Sequence, residues 1–197
     1  MLSNQASGRN KMVCLTHDLV VAPPAPDALS AALARRAGFG AVYHGGGGLR
    51  YARAVSEALL TATELAGATR AITERVDGAA VVDAGIGFGD AVHMARTVRL
   101  LEQAGAAAME IEDLVSPKRA HRRKGVEHLV PMEEMVGRIR AALVARKGAT
   151  PVVIVRCNPL SHEGIARTRD RIAAVTTGST VPLAATPLPL ALVPGRA

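Results

Sequence analysis

The segment Asp83–Asp90 has the residue pattern most suggestive of chemistry, because a carboxylate is followed by glycines at alternate positions. Glycine lets a backbone approach a ligand closely, and a carboxylate can bind a hard cation. A dinucleotide-binding fingerprint is a rival interpretation, but Asp90 stands where its third glycine should be. A plain glycine-rich turn, with Asp90 capping the helix that follows, is a further interpretation that stays open.

Polar or glycine residues also follow three other short apolar runs. Gly45, Glu112 and Arg156 come at or just after predicted strands, as Asp83 does; these strands are Gly40–Tyr43, Ala79–Asp83, Ala107–Ile111 and Val152–Val155. Several strands that deliver polar groups to one rim are typical of a (β/α)8 barrel. Each group also has a structural alternative, since Arg156 could form an ion pair at the rim and Glu112 could cap a turn.

Predicted helices alternate with these strands, and this alternation indicates an α/β fold with a parallel sheet. The helices are expected at Asp27–Ala37, about Ser56–Arg75, Asp90–Ala104, from Pro131 to near Gly148, and from near His162. Their apolar faces are predicted to contain Leu29, Ala32 and Leu33; Val92, Ala95, Val98 and Leu101; and Met135, Ile139, Ala142 and Leu143. A doubly wound sheet would fit the alternation but would place its polar groups at one switch point. A (β/α)8 TIM-barrel type is therefore favoured.

Composition narrows the classes of function. The chain has 197 residues, a net charge of +7 and 2% aromatic residues, so its core must consist of aliphatic side chains. The basic run 118–124 has no aromatic neighbour for base stacking, which argues against nucleic-acid binding. Cys14 and Cys157 have no metal or redox spacing. Neither a signal peptide nor a membrane-spanning run is apparent, and we expect a cytoplasmic protein with a domain at 1–175 and an irregular tail at 176–197.

Jointly, several of these segments resemble the isocitrate lyase and phosphoenolpyruvate mutase superfamily. The resemblance covers about residues 19–172 and is carried by segments in the family's order: Pro26–Ala31, Ala37–Phe39, Ala41–Tyr43, Asp83–Asp90, Glu112–Asp113, Pro117–Arg119 and Val152–Arg156. It implies a Mg²⁺-dependent lyase or phosphorylmutase that handles small α-keto or α-hydroxy acids through an enolate. Examples are 2-methylisocitrate lyase and carboxyvinyl-carboxyphosphonate phosphorylmutase.

The resemblance also implies roles for single residues. Asp83 and Glu112 would hold Mg²⁺, and Arg156 would bind a carboxylate or phosphonate. Backbone N–H groups of the loop Gly45, Gly46 and Gly47 would bind the substrate carboxylate. Lys118 and His121 are weaker catalytic candidates, His121 because imidazole can act as a general acid near neutral pH.

Departures from the family pattern leave a second reading open. Gly85 stands where the family has a second Asp, Ser56 falls where it has a loop carboxylate, and Ala120 replaces the Cys of lyase members. We also expect a barrel truncated after about five βα units, which could complete itself as a homo-oligomer. The sequence therefore leaves open whether the chain is an enzyme, and the alternative is an inactive remnant or interaction protein that retains part of the barrel.

Overall fold

A parallel β-sheet of four strands organises the chain. The computed structural model describes residues 20–115, 128–148, 150–158 and 164–178. Its strands are β1 (Ala41–Gly45), β2 (Ala79–Asp83), β3 (Ala108–Glu112) and β4 (Val152–Arg156). They lie side by side in chain order, each parallel to the one before it. The order does not reverse among these strands, as a doubly wound sheet would require.

Helices connect successive strands and pack against one another. They are α1 (Ala28–Arg36), α2 (Gly46–Ala52), α3 (Ala62–Thr73), α4 (Ala91–Gln103), α5 (Met132–Ala145) and α6 (Gly164–Gly178), with a 3₁₀ helix at Glu57–Leu59. Aspartate side chains cap the N-termini of α1 and α4. Asp27 Oδ1 accepts the Ser30 N–H at 2.8 Å, and Asp90 Oδ1 accepts the Val92 N–H at 3.0 Å. The prediction that Asp90 caps a helix is thereby confirmed.

The core lies between one face of the sheet and the helices. Val82, Met109 and Ile111 of the strands form one cluster with Met94 of α4 and Ile139 of α5. Because side chains alternate along a strand, the residues between these core positions point to the other face of the sheet. The predicted apolar face of α5 is correct, since its four members are buried: Met135, Ile139, Ala142 and Leu143.

Two other predicted helix faces are partly wrong. Leu29 and Leu33 of α1 are 71% and 56% exposed, and Ala31 is the buried residue instead. In α4, Val92 is 77% exposed whereas Met94 is fully buried. The buried stripe of α1 is therefore set by the elements that pack against it, and not by hydrophobicity alone.

The connection between β1 and β2 differs most from expectation. The glycines predicted to form an open loop begin helix α2 at Gly46, which the buried Leu49 anchors to the core. The predicted helix from Ser56 is instead a 3₁₀ turn, and α3 begins after Thr61. Thr61 and Glu64 form a reciprocal capping box that fixes this start.

Several predicted features lie outside the described residues. Lys118, Ala120 and His121 are among them, and so is the tail from residue 179 onward. Helix α6 continues to Gly178 and thus extends into the segment predicted to be irregular. The division into a domain and a tail stays a prediction. Across the described ranges, no helix is long and apolar enough to cross a membrane.

Candidate active site

Strand register brings the predicted acidic residues onto one face of the sheet. Asp83 of β2 is paired with Gly45 of β1 and with Glu110 of β3. Glu112 of β3 is paired with Arg156 of β4. Because side chains alternate along a strand, Glu110 and Glu112 project to the same side as their cross-strand partners. This face, opposite the helix-covered one, is called the inner face below.

Arg156 contacts all three carboxylates of the inner face. Its Nη1 lies 2.6 Å from Glu110 Oε1 and 3.7 Å from Asp83 Oδ2. Its Nη2 donates a hydrogen bond to Glu112 Oε2. The side chain of Glu112 is fully buried, while that of Arg156 keeps a quarter of its surface exposed. The guanidinium therefore neutralises part of the negative charge that β2 and β3 supply.

Burial and charge act in opposite directions on these groups. Burial raises the pKa of Glu110 above its usual value, whereas the Arg156 guanidinium opposes that rise. Burial alone would lower the pKa of Arg156, but the carboxylates of Glu112, Asp83 and Glu110 outweigh it and raise that pKa. The Tyr43 hydroxyl also donates to Glu110 Oε1 at 3.0 Å, and burial raises the pKa of Tyr43. Tyr43 therefore stays a neutral hydrogen-bond donor at this site.

Glycines allow close backbone approach around Asp83. A Cβ on Gly45 would lie 2.6 Å from the Asp83 Cβ, so only glycine fits beside this carboxylate. Asp83 Oδ1 accepts the Gly85 N–H at 2.8 Å, and the Gly85 carbonyl accepts the Glu112 N–H at 2.8 Å. Gly87 has φ +76° and presses against Met94, a conformation and a contact that a side chain would disrupt. The turn after β2 is thus tied to the end of β3.

Asp113, next to Glu112, belongs to a separate structural network. Its Oδ1 accepts both the backbone N–H and the side-chain amide of Asn158, at 3.0 and 3.1 Å. Its Oδ2 lies 3.6 Å from Arg171 Nε. Burial raises the pKa of Asp113, and burial likewise raises the pKa of the Cys157 thiol to about 12. A thiol with so high a pKa is a poor nucleophile at neutral pH.

A cavity of about 500 Å³ opens beside Asp83. Gly46 and Glu57 line it from the β1–β2 connection, and Gly85 and Phe88 line it from the turn after β2. Glu57 lies directly against Gly46, because a Cβ there would be 3.0 Å from Glu57 Cγ. A small organic molecule could therefore reach Asp83 from this side.

The structure brings together most of the predicted site residues. Asp83, Glu112 and Arg156 meet on the inner face, and Gly45 adjoins Asp83. Gly46 lines the cavity, whereas Gly47 lies in the first turn of α2. Lys118 and His121 are outside the described residues.

Sequence reasoning missed Glu110 and Tyr43. The available signal was the alternation Glu110-Ile111-Glu112, which puts two acids on one face of a strand that also has to be buried. The other four residues of the predicted strand Ala107–Ile111 are apolar, and this apolar content conceals Glu110.

The donor set suits a hard divalent cation, because Asp83, Glu110 and Glu112 offer only carboxylate oxygens. The arrangement nevertheless differs from a preformed metal centre. Among the described residues, no three His, Cys, Asp or Glu side chains are grouped to hold a metal ion. The guanidinium of Arg156 lies against these acids instead.

Comparisons of sequence identify a family and relatives over most of the chain. The family model described as phosphoenolpyruvate phosphomutase matches residues 14–179. A 2-methylisocitrate lyase from Aeropyrum pernix is 41% identical over 155 residues, which are 78% of this chain and 49% of the relative. A 2,3-dimethylmalate lyase from Eubacterium barkeri is 38% identical over 162 residues, which are 79% of this chain and 54% of the relative. The chain spans about half the length of the curated relatives it matches.

Comparisons of structure give the same result. A phosphonopyruvate hydrolase in complex with oxalate and Mg²⁺ superposes with a TM-score of 0.76 at 32% identity, covering 90% of this chain and 60% of that one. A 2,3-dimethylmalate lyase, a member of the PEP mutase/isocitrate lyase superfamily, superposes with a TM-score of 0.78 at 29% identity and the same coverages. These matches confirm the predicted α/β fold of the TIM-barrel type. The resemblance is confirmed as well, and the chain belongs to the phosphoenolpyruvate phosphomutase family.

Proposed function

We propose that this chain carries the metal- and acid-binding half of a Mg²⁺-dependent lyase or phosphorylmutase that acts on small α-keto or α-hydroxy carboxylic acids. One observation carries the proposal. On one face of three neighbouring strands, Arg156 contacts both Asp83 and Glu112, and Asp83 also lines a cavity large enough for a small organic acid. The family relatives named lyases and mutases support the same reaction class.

Each side chain has a physical reason for its proposed role. Asp83 and Glu112 would hold Mg²⁺, directly or through its waters, since carboxylate oxygens are the ligands it prefers. When bound, Mg²⁺ stabilises the negative charge that develops on an enolate oxygen. Arg156 would bind a carboxylate or phosphonate through paired N–H groups. The complex of phosphonopyruvate hydrolase with oxalate and Mg²⁺ supports this combination of ligands.

The residues around Asp83 would orient rather than react. Gly45 leaves room beside the carboxylate, and the Gly85 N–H fixes one of its oxygens. Lys118 and His121 stay proposed members of the site, His121 as a general acid. Backbone N–H groups at Gly45, Gly46 and Gly47 stay the proposed contacts of the substrate carboxylate.

Thermal unfolding with Mg²⁺ and oxalate tests the proposal. Oxalate mimics the enolate of pyruvate, and a ligand at a hundred times its Kd stabilises the native state by about 2.7 kcal/mol. We expect the melting temperature to rise more with both ligands than with Mg²⁺ alone. In Asp83→Asn, which keeps an oxygen for the Gly85 N–H, this rise should be lost. Glu133→Gln, a change at an exposed position of α5, is the matched control and should keep it.

A second candidate is a non-catalytic member that retains the fold. Gly85, Ser56 and Ala120 favour it, because they stand where the resemblance implies acidic or thiol groups. Under this reading the wild-type protein unfolds cooperatively at the same temperature with or without the two ligands. Turnover of a family substrate that depends on Mg²⁺ would exclude it.

A further inference from the structure

We infer that Arg156 competes with the divalent metal for the carboxylates of the inner face, so that metal binding frees the guanidinium for the substrate anion. This inference rests on the proposed function. It adds an order of events, because the metal must arrive before Arg156 can bind an acid by two hydrogen bonds.

The contacts of Arg156 are the first argument. Both terminal nitrogens already contact carboxylates of this chain. Nη1 lies 2.6 Å from a carboxylate oxygen of Glu110, and Nη2 donates a hydrogen bond to Glu112. Nη1 also lies 3.7 Å from Asp83 Oδ2. A two-pronged bond to a carboxylate needs two N–H groups on one edge of the guanidinium. A substrate would thus have to share Arg156 with the acids that already hold it.

The Nε atom of Arg156 is the second argument. It is buried and has no hydrogen-bond partner in the part of the chain that the structure describes. The N–H groups of Nε and one terminal nitrogen lie on one edge of the guanidinium and can bind a carboxylate together. Of these two nitrogens, Nε makes no hydrogen bond to Glu110 or Glu112. A released guanidinium would satisfy this donor with a substrate oxygen.

Charge gives the third argument. Ionised Asp83, Glu110 and Glu112 carry more negative charge than one guanidinium neutralises. A dication beside Arg156 would meet a like charge at short range, so each cation weakens the binding of the other. Mg²⁺ has the higher charge and prefers carboxylate oxygens. The side chain of Arg156 is 25% exposed, so part of it already faces solvent.

Calorimetric titration of the 197-residue chain with Mg²⁺ alone, without any organic acid, tests the inference. We expect Arg156→Gln to bind Mg²⁺ about tenfold more tightly than wild type, because it removes the competing cation. Arg99→Gln, an exposed position on α4, makes the same change in net charge away from the inner face and should alter the affinity less than twofold. A substrate-binding arginine without this competition would leave Mg²⁺ affinity unchanged.

The outcomes separate the inference from the proposed function. If wild type binds Mg²⁺ and Arg156→Gln binds it equally or more weakly, the inference is wrong while the function stands. If neither wild type nor Arg156→Gln binds Mg²⁺, the inference and the proposed function are both wrong.

A measurement on wild type covers the case in which Arg156→Gln does not fold. In NMR spectra of arginine side chains, the Arg156 signal is identified by its loss in Arg156→Lys. Mg²⁺ should then speed the exchange of its N–H protons with water. An exchange rate that stays constant through saturation with Mg²⁺ would contradict the inference.

Discussion

At the scale of single residues, strand alternation decides which polar groups meet. Glu110 of β3 is paired with Asp83 of β2, and Glu112 projects to the same face of the sheet. The intervening Ile111 is buried in the core. A buried acid needs a partner, and the Tyr43 hydroxyl and Arg156 serve Glu110 in that way. The inner face is thus a connected polar network in which a change to one member alters the others.

His44 gives a prediction about pH on the opposite face of β1. It is fully buried, and its Nδ1 lies 2.9 Å from the Ala25 carbonyl oxygen. Burial lowers the pKa of His44 below its usual 6.5. The unfolded chain therefore binds a proton at mildly acidic pH that the folded chain excludes. The free energy of unfolding should fall as pH decreases below about 6.5.

The variant His44→Gln isolates this contribution. Urea unfolding at several pH values between about 7.5 and 5 should show a smaller loss of stability for the variant than for wild type. The chain has five other histidines, which are common to both proteins and cancel in the difference. Equal pH slopes would show that His44 has the same pKa in the folded and unfolded chains, and would contradict the prediction.

At the scale of elements, the sequence predicted the strands better than the connections between them. Short aliphatic runs that end at Asp83 or Arg156 have few alternatives, and the observed bounds agree within two residues. The start of α3 is set by the capping box of Thr61 and Glu64. The apolar pattern used to predict this helix does not include that local signal, so it places the start near Ser56. The exposed Leu29 could not be foreseen, because the helix face that is buried is chosen by neighbouring elements.

Thr61 provides the prediction at this scale. Its hydroxyl accepts the Glu64 N–H at 3.2 Å and begins α3 beside the cavity. Thr61→Ala should lower the free energy of unfolding by about 1 kcal/mol, since the cap is lost. Thr63→Ala in the same helical turn is the control and should be neutral or slightly stabilising, because alanine favours helix. Chemical denaturation of both variants measures the difference, and equal effects would contradict the capping role.

At the scale of the whole molecule, buried polar contacts join elements that are distant in the chain. Arg171 of α6 donates to the Val130 carbonyl at 2.9 Å and lies 3.6 Å from Asp113. Asp113 in turn accepts two hydrogen bonds from Asn158, just after β4. This network fixes the ends of β3 and β4, and so the distance between Glu112 and Arg156. Self-association, expected because a barrel of about five βα units cannot close, stays a prediction that sedimentation can test.

Arg171→Met tests whether this network supports the site. The change leaves Asp113 buried without its cation, and loss of one partner of a buried pair typically costs 3 kcal/mol or more, so we expect about 3 kcal/mol less stability. Arg167→Met, at an exposed position of α6, should cost far less. In the Asp113→Asn background the effect of Arg171→Met should shrink, because the buried charge is already removed. Chemical denaturation of the four proteins measures this coupling. If the effects of the two changes on stability were additive, Arg171 would act through packing and the Val130 carbonyl. That result would contradict the claim that α6 supports the inner face through Asp113.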